Sequence, residues 1–454
     1  MVRTRFAPSP TGFLHIGSLR TALYSFALAK SSQGQFLLRI EDTDQKREVE
    51  GAVESIFESL NKFGISWDEP PVIQSQRAQA GVYIQAAEKL VSQGQAFYCQ
   101  CEARNAKIQG YSGVLRDPCR DKNLSHGAIK LRVPDDQKIS YHDFVLDREI
   151  IWDTNTVADA TLLKSESMGR LPTYHLAVVV DDVFMRISHA LRGHDWLPST
   201  PIHLLVYKYM GFECPEIGHL TDIQSSKGGK LSKRKDSVFC EKFLDDGYLP
   251  EALLNFVMLL GWAPKDNQEM FTMPEFIKAF NPKGFQKSNP LFLPAKLDWF
   301  NGQYIRQKSD TELIQLVKPY MKSKISDNIL TQIIPLIKDR LVKLTDVDNL
   351  LIPFMSAPEN IQPELYISKP DVTLVSVLET IKASDFKNPE SLNTEFKKEI
   401  ERLNIKTGDY FMNMRVALMG SRSTPPITES AVILGQEESL RRINKALDML
   451  NIKQ

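Results

Sequence analysis

The sequence predicts an α/β fold: a parallel-sheet domain interrupted by an α+β insertion and followed by an all-helical C-terminal region. Three observations predict it. Apolar runs alternate strand, helix, strand, helix from the N-terminus; short strand-like runs and polar turns replace that alternation from Phe97 to Thr173; and beyond Leu244 apolar residues recur at helical spacing.

Taken in order, Arg3 to Ala7 reads as a strand broken by Pro8 and Pro10, with Thr11 and Gly12 in the turn and a helix from about Leu19 to Lys30. Gln35 to Ile40 is an apolar strand that runs into Glu41-Asp42-Thr43-Asp44, after which Val49, Val53, Ile56, Phe57 and Leu60 repeat with a helical period. Strands joined by helices favour a parallel sheet, whose ligands bind beyond the carboxyl ends of the strands, and the acidic tetrad lies at such an end. After the insertion, the β-prone run Tyr174 to Val180 predicts a strand that ends at Asp181-Asp182 and completes the sheet, and Ile202 to Met210 predicts a helix. Lys227 to Lys235, with two glycines and five basic residues, predicts a mobile surface loop. In the helical region Leu313, Leu316, Val317 and Tyr320, and again Leu440, Ile443, Leu447 and Leu450, mark buried faces. The divisions that follow are residues 1–96, 97–173, 174–243, 244–310 and 311–454.

A chain of 454 residues exceeds what one core usually serves, so a multidomain enzyme is expected. Apolar residues make up 42% and charged residues 25%, an ordinary soluble composition without the long apolar run that would span a membrane. Met1 to Phe6 show no signal or transit pattern, so a cytoplasmic location is expected. Lysine plus arginine equal aspartate plus glutamate at 56 each; net charge therefore says nothing about a polyanionic partner, although basic patches could still bind one. Five cysteines, an odd number, argue against a disulfide framework.

Chemistry is carried first by Arg5-Phe-Ala-Pro-Ser-Pro-Thr-Gly12 and His15-Ile-Gly-Ser18, at a turn entering a helix. Gly12 and Gly17 let backbone approach a nucleotide, the helix N-terminus favours phosphate, and His15 can donate to a phosphate oxygen as charge develops. Lys230-Leu-Ser-Lys-Arg234 is the second element: a glycine-flanked cationic loop can neutralise charge on a triphosphate. Either motif alone reads as an ordinary turn or a solvated loop.

Together they resemble the two signatures of class I aminoacyl-tRNA synthetases. Within that class the opening segment, Arg39-Ile-Glu-Asp-Thr-Asp44, Leu191-Arg-Gly-His-Asp-Trp-Leu-Pro-Ser-Thr-Pro201 and Lys296-Leu-Asp-Trp-Phe-Asn-Gly-Gln-Tyr304 are similar to the bacterial-type glutamyl-tRNA synthetases. The resemblance implies a Rossmann-like parallel-sheet catalytic domain, an inserted α+β connective domain that receives the tRNA acceptor end, a helical stem-contact region and an all-α anticodon-binding region. It implies ATP-dependent ligation of L-glutamate to the 3′-terminal adenosine of tRNA(Glu) through glutamyl-adenylate, with Mg2+ accompanying ATP, by a monomer that has no membrane partner. It assigns His15 and Lys233 as catalytic, and His15, Gly17, Ser18, Asp195, Lys230, Leu231, Ser232, Lys233 and Arg234 to ATP. Arg5, Ala7, Ser9, Glu41, Tyr174 and Arg192 fall to glutamate, with Glu41 on the ammonium and the two arginines on the carboxylates. Val178 departs from the family, where that position can carry asparagine.

Cys99, Cys101 and Cys119 suggest a structural zinc knuckle, with Tyr111 or Asp121 as the fourth ligand; the alternative is three reduced buried cysteines. In the C-terminal third, basic residues such as Lys397, Lys398, Arg402, Arg415, Arg422, Arg441 and Arg442 are candidates for phosphate contact, although most such residues only solvate helices. The rival readings are a glutaminyl-tRNA synthetase and another nucleotidylyltransferase with the same histidine motif.

Overall fold

The computed structural model describes residues 1–44, 49–102, 115–231, 238–359 and 361–450. The chain divides into two units, Met1–Asp245 with Pro250–Leu297, and Asp246–Leu249 with Asp298–Gln454.

In the first unit β1 (Arg3–Phe6), α1 (Ile16–Ser31), β2 (Gln35–Ile40), α2 (Ala52–Lys62) and β3 (Val72–Ile73) alternate as expected. β1 pairs with β2 and β2 with β3, both parallel. α1 starts three residues before the expected Leu19, because His15 is its N-cap and accepts from the Ser18 amide. Next come α3 (Gln74–Gln79) and α4 (Val82–Ser92). β4 (Ala96–Cys99), β5 (Ala128–Leu131), β6 (Lys138–Asp143), β7 (Arg148–Asp153) and β8 (Thr161–Leu163) follow, forming the antiparallel sheet β4-β5-β8 and the hairpin β6-β7.

Tyr174–Phe184 is a helix, α5, and not the expected strand. Leu176 to Asp182 are all buried, the apolar run Leu176 to Val180 on every side and the two aspartates against arginines. A fully buried apolar run carries no period that separates strand from helix, and packing overrides the β preference of three valines. The second half of the domain instead contributes a two-stranded parallel sheet, β9 (His189–Gly193) and β10 (Glu216–Leu220), whose strands flank the expected helix α6 (Thr200–Met210). β9 runs beside β1, joined where Ser188 N–H donates to the Arg3 carbonyl at 2.9 Å. The unit closes with α7 (Cys240–Asp245), α8 (Pro250–Met258) and α9 (Met273–Ala279), and α10 (Pro294–Gln307) follows.

The second unit is helical: α11 (Asp310–Val317), α12 (Asp327–Ile337), α13 (Val347–Met355), α14 (Pro370–Ala383), α15 (Pro389–Leu403), α16 (Thr407–Met419), α17 (Ile427–Leu434) and α18 (Gln436–Met449). Leu374, Val377, Phe396, Met414 and Leu447 meet in one core. Arg442 is buried and donates to the carbonyls of Pro353 and Leu418, so its role is structural; Arg402 and Arg441 pair with Glu399 and Glu438 on their own helices. Among the described residues no helix is long and apolar enough to cross a membrane.

Candidate active site

One cleft of about 570 Å³ opens at the carboxyl ends of β1, β2, β9 and β10. Arg5, Ala7, Ser9, Glu41, Tyr174 and Arg192 line it together with His15, Gly17, Ser18, Asp195, Lys230 and Leu231. Every expected glutamate and ATP residue within the described segments therefore faces the same space. Ser232, Lys233 and Arg234 lie outside the described residues.

At the end formed by the N-terminal turn, His15 Nδ1 accepts from the Ser18 amide at 3.2 Å, which leaves the proton on Nε2, 2.9 Å from Ser18 Oγ. A Cβ on Gly17 would stand 3.1 Å from the His15 ring, so a larger residue there would push the imidazole aside. The turn is held to the far side of the basic loop: Ile16 N–H donates to Val238 and Cys240 N–H to Leu14, both at 2.9 Å. On the near side, Leu231 N–H donates to Ile223. Lys230 Nζ bridges Asp195 at 2.5 Å and Asp222 at 2.9 Å; burial lowers its pKa, but these two carboxylates outweigh it.

Beneath the other end lie three buried arginines. Arg5 and Arg39 both reach Asp182 Oδ1, at 3.1 and 2.5 Å, and Arg39 also donates to Glu41 Oε1 at 3.0 Å. Burial pushes the Asp182 carboxyl up, yet the two guanidiniums overcome it and hold Asp182 below the usual carboxylate range. For Glu41 burial prevails over Arg39 and Arg5, and its pKa is raised.

Arg192 differs. Its Nε donates to His219 Nε2 at 2.9 Å, its Nη1 to His203 Nδ1 at 2.9 Å and its Nη2 to Thr200 Oγ1 at 2.8 Å. All three partners are neutral: burial first, and Arg192 with it, depresses His203 well below its ordinary value, and burial likewise pushes His219 down to about 4. Among the described residues no carboxylate lies within ion-pair distance of Arg192. A guanidinium has five N–H groups, so two remain beyond these three partners, and the Tyr174 hydroxyl, which also bonds to Arg192, shares them with the open cleft. The Tyr174 ring packs at a tilt of 34° against Trp196 with centroids 4.0 Å apart, and its hydroxyl feels Arg192, Glu41 and Arg5. Val178 is buried below Arg5 and Arg192, outside the cleft lining.

Away from the cleft, the ligand atoms of Cys99, Cys101, Asp117 and Cys119 all lie within 4.8 Å of one another. The Cys101 and Cys119 sulfurs are 3.5 Å apart, near the about 3.8 Å edge of a tetrahedral zinc–thiolate site. Asp121 stands apart from this cluster, exposed and paired with Arg132 at 2.9 Å, and Tyr111 lies outside the described residues. Asp117 escaped the sequence reading, although it lies only two residues before Cys119 and its Oδ1 accepts the Cys119 amide. Arg39, Asp182, His203 and His219 were also missed as site residues.

A histidine-capped helix start at the end of a parallel sheet, beside Lys230 and an arginine-floored pocket, is the arrangement expected of a class I aminoacyl-tRNA synthetase. Residues 1–299 match the family described as tRNA synthetases class I (E and Q), catalytic domain, and the chain belongs to that family. Residues 312–447 match the anticodon binding domain. The chain is 35% identical to a glutamate–tRNA ligase of Finegoldia magna, over 98% of this chain and 99% of that one. It is 37% identical to a glutamate–tRNA ligase of Borrelia recurrentis, over 99% and 96%. The crystal structure of a glutamate tRNA ligase from Elizabethkingia meningosepticum, in complex with its amino acid, superimposes with a TM-score of 0.87 at 32% identity, covering 99% of each chain. The chain stands with the bacterial glutamyl-type members of its family.

Proposed function

We propose that the chain uses ATP to join L-glutamate to the 3′-terminal adenosine of tRNA(Glu). The observation that carries this reading is Arg192: a buried cation with only neutral partners, in the same cleft as the His15 turn and Lys230. A substrate carboxylate supplies the missing counter-charge; with Arg192 on the side-chain carboxylate and Arg5 on the α-carboxylate, an amide in the side-chain position leaves a buried cation unpaired, which disfavours the glutaminyl alternative.

In the first step the α-carboxylate of glutamate attacks the α-phosphorus of ATP and pyrophosphate leaves; in the second a hydroxyl of the terminal adenosine attacks the acyl carbon and AMP leaves. Arg5 and Arg192 hold the carboxylates, Glu41 the ammonium, and Ala7, Ser9 and Tyr174 complete the pocket. His15, through Nε2–H, and Gly17, Ser18, Leu231 and the loop residues Lys230, Ser232, Lys233 and Arg234 meet the phosphates, with Asp195 on the ribose. Mg2+ accompanying the nucleotide would shield its phosphate charge. Catalysis rests on positioning and on charge stabilisation by His15 and Lys233. Residues 97–173 receive the acceptor end, 244–310 the stem and 311–454 the anticodon. The protein works as a cytoplasmic monomer. Cys99, Cys101 and Cys119, with Asp117 as the fourth donor, would hold a structural zinc in the insertion.

Charging of tRNA(Glu) and tRNA(Gln) side by side tests the reaction: glutamate is attached to tRNA(Glu), and attachment to neither overturns the reading. Lys233→Ala lowers pyrophosphate exchange far more than it weakens glutamate binding. Metal analysis of protein purified without chelator or added metal finds about one zinc per chain, and its absence removes the zinc site.

A further inference from the structure

Arg192 is oriented by a buried chain of side chains that begins in the insertion. Asp143, the last residue of β6, and His219, on β10, are both fully buried, and Asp143 Oδ2 lies 2.7 Å from His219 Nδ1. The opposite ring nitrogen, Nε2, accepts from Arg192 Nε at 2.9 Å. The carboxylate is fixed in turn: Oδ1 accepts the amides of Val145 at 3.0 Å and Leu146 at 2.9 Å, and Oδ2 accepts the Tyr141 hydroxyl at 2.7 Å.

These bonds dictate protons. The Tyr141 hydroxyl lies 2.8 Å from His219 Nδ1 but gives its proton to Asp143 Oδ2; that carboxylate oxygen can only accept, so the proton of neutral His219 sits on Nδ1, and Nε2 presents a lone pair to Arg192. The other tautomer would aim Nε2–H at Arg192 Nε–H, turning an attraction into a repulsion. We propose that Asp143 is a positioning residue for amino-acid selection, fixing the His219 tautomer that aligns Arg192 with a substrate carboxylate. This rests on Arg192 being a glutamate-binding residue. It gives the insertion a part in the amino-acid pocket as well as in RNA binding.

Asp143→Asn is the discriminating change. The two backbone amides keep an oxygen at Oδ1, so the new amide nitrogen falls at Oδ2, beside His219 Nδ1, and donates to it. The imidazole proton then moves to Nε2. The glutamate KM rises about tenfold to a hundredfold while the ATP KM and the melting temperature stay put. Nitrogen-15 histidine spectra of the full chain report the flip from Nδ1–H to Nε2–H directly. His219→Phe keeps ring shape, removes the acceptor and raises the glutamate KM likewise, which covers the case in which D143N does not fold. An unchanged glutamate KM in a folded D143N or H219F protein, with Arg192→Ala strongly impaired, refutes the positioning role alone. An unimpaired R192A protein removes the underlying reading of Arg192 and the proposal with it.

Discussion

Arg39 and Arg192 are both buried arginines beneath one cleft, on neighbouring parts of the same fold, yet the first is surrounded by carboxylates and the second by two imidazoles and a hydroxyl. The difference separates scaffold from binding. Around Arg39 each charge is answered within the chain, and Asp182 secures two arginines at once. Around Arg192 the protein supplies geometry without neutralisation, which suits a side chain whose counter-ion arrives with the substrate.

The largest effect should come from breaking the scaffold half. Asp182→Ala leaves two guanidiniums without their shared carboxylate and should cost about 3–5 kcal/mol of stability, read as a large fall in melting temperature. Arg192→Leu should do the reverse. It removes a buried charge without a carboxylate partner, so the melting temperature should hold or rise, while kcat/KM for glutamate falls by about a hundredfold or more, or about 3 kcal/mol, in pyrophosphate exchange. A matching loss of stability in both variants would erase the distinction.

Acid should separate the halves by pH. Asp182 titrates below its unfolded value, so its stabilisation is complete above about pH 3.9 and is lost as pH falls through its depressed native pKa. Glu41 titrates above its unfolded value; acidification through that raised pKa removes its charge and relieves its burial cost. Glutamate binding followed by calorimetry should therefore weaken before circular dichroism reports unfolding, and Glu41→Gln should abolish this early phase. The smallest effect belongs to Lys230→Ala: its bridge to Asp195 and Asp222 is largely exposed, so stability should change by less than about 0.5 kcal/mol in denaturant titration.

The binding half was the more legible in sequence. Arg5, Glu41 and Arg192 stand in matched segments, and strands β1 and β2 announce themselves by apolar runs between turns. The supporting half is a matter of distance along the chain. Arg39 meets Asp182 143 residues on, and Asp143 meets His219 76 residues on, separations that no local pattern encodes. β9 and β10 were illegible for a related reason: His-Ala-Leu-Arg-Gly and Glu-Ile-Gly-His-Leu have little intrinsic strand preference and take that form through pairing. α5 misled in the opposite direction, its valines favouring a strand that burial on all sides did not require.

Counted by direct contact, the pocket floor is lopsided. Asp182 and Glu41 touch Arg5 and Arg39, whereas Asp143, the carboxylate behind Arg192, is held off it by the width of the His219 ring. An anion entering the cleft therefore has no ion pair to displace at Arg192, and the imidazole between the two charges acts as a spacer that keeps the guanidinium available.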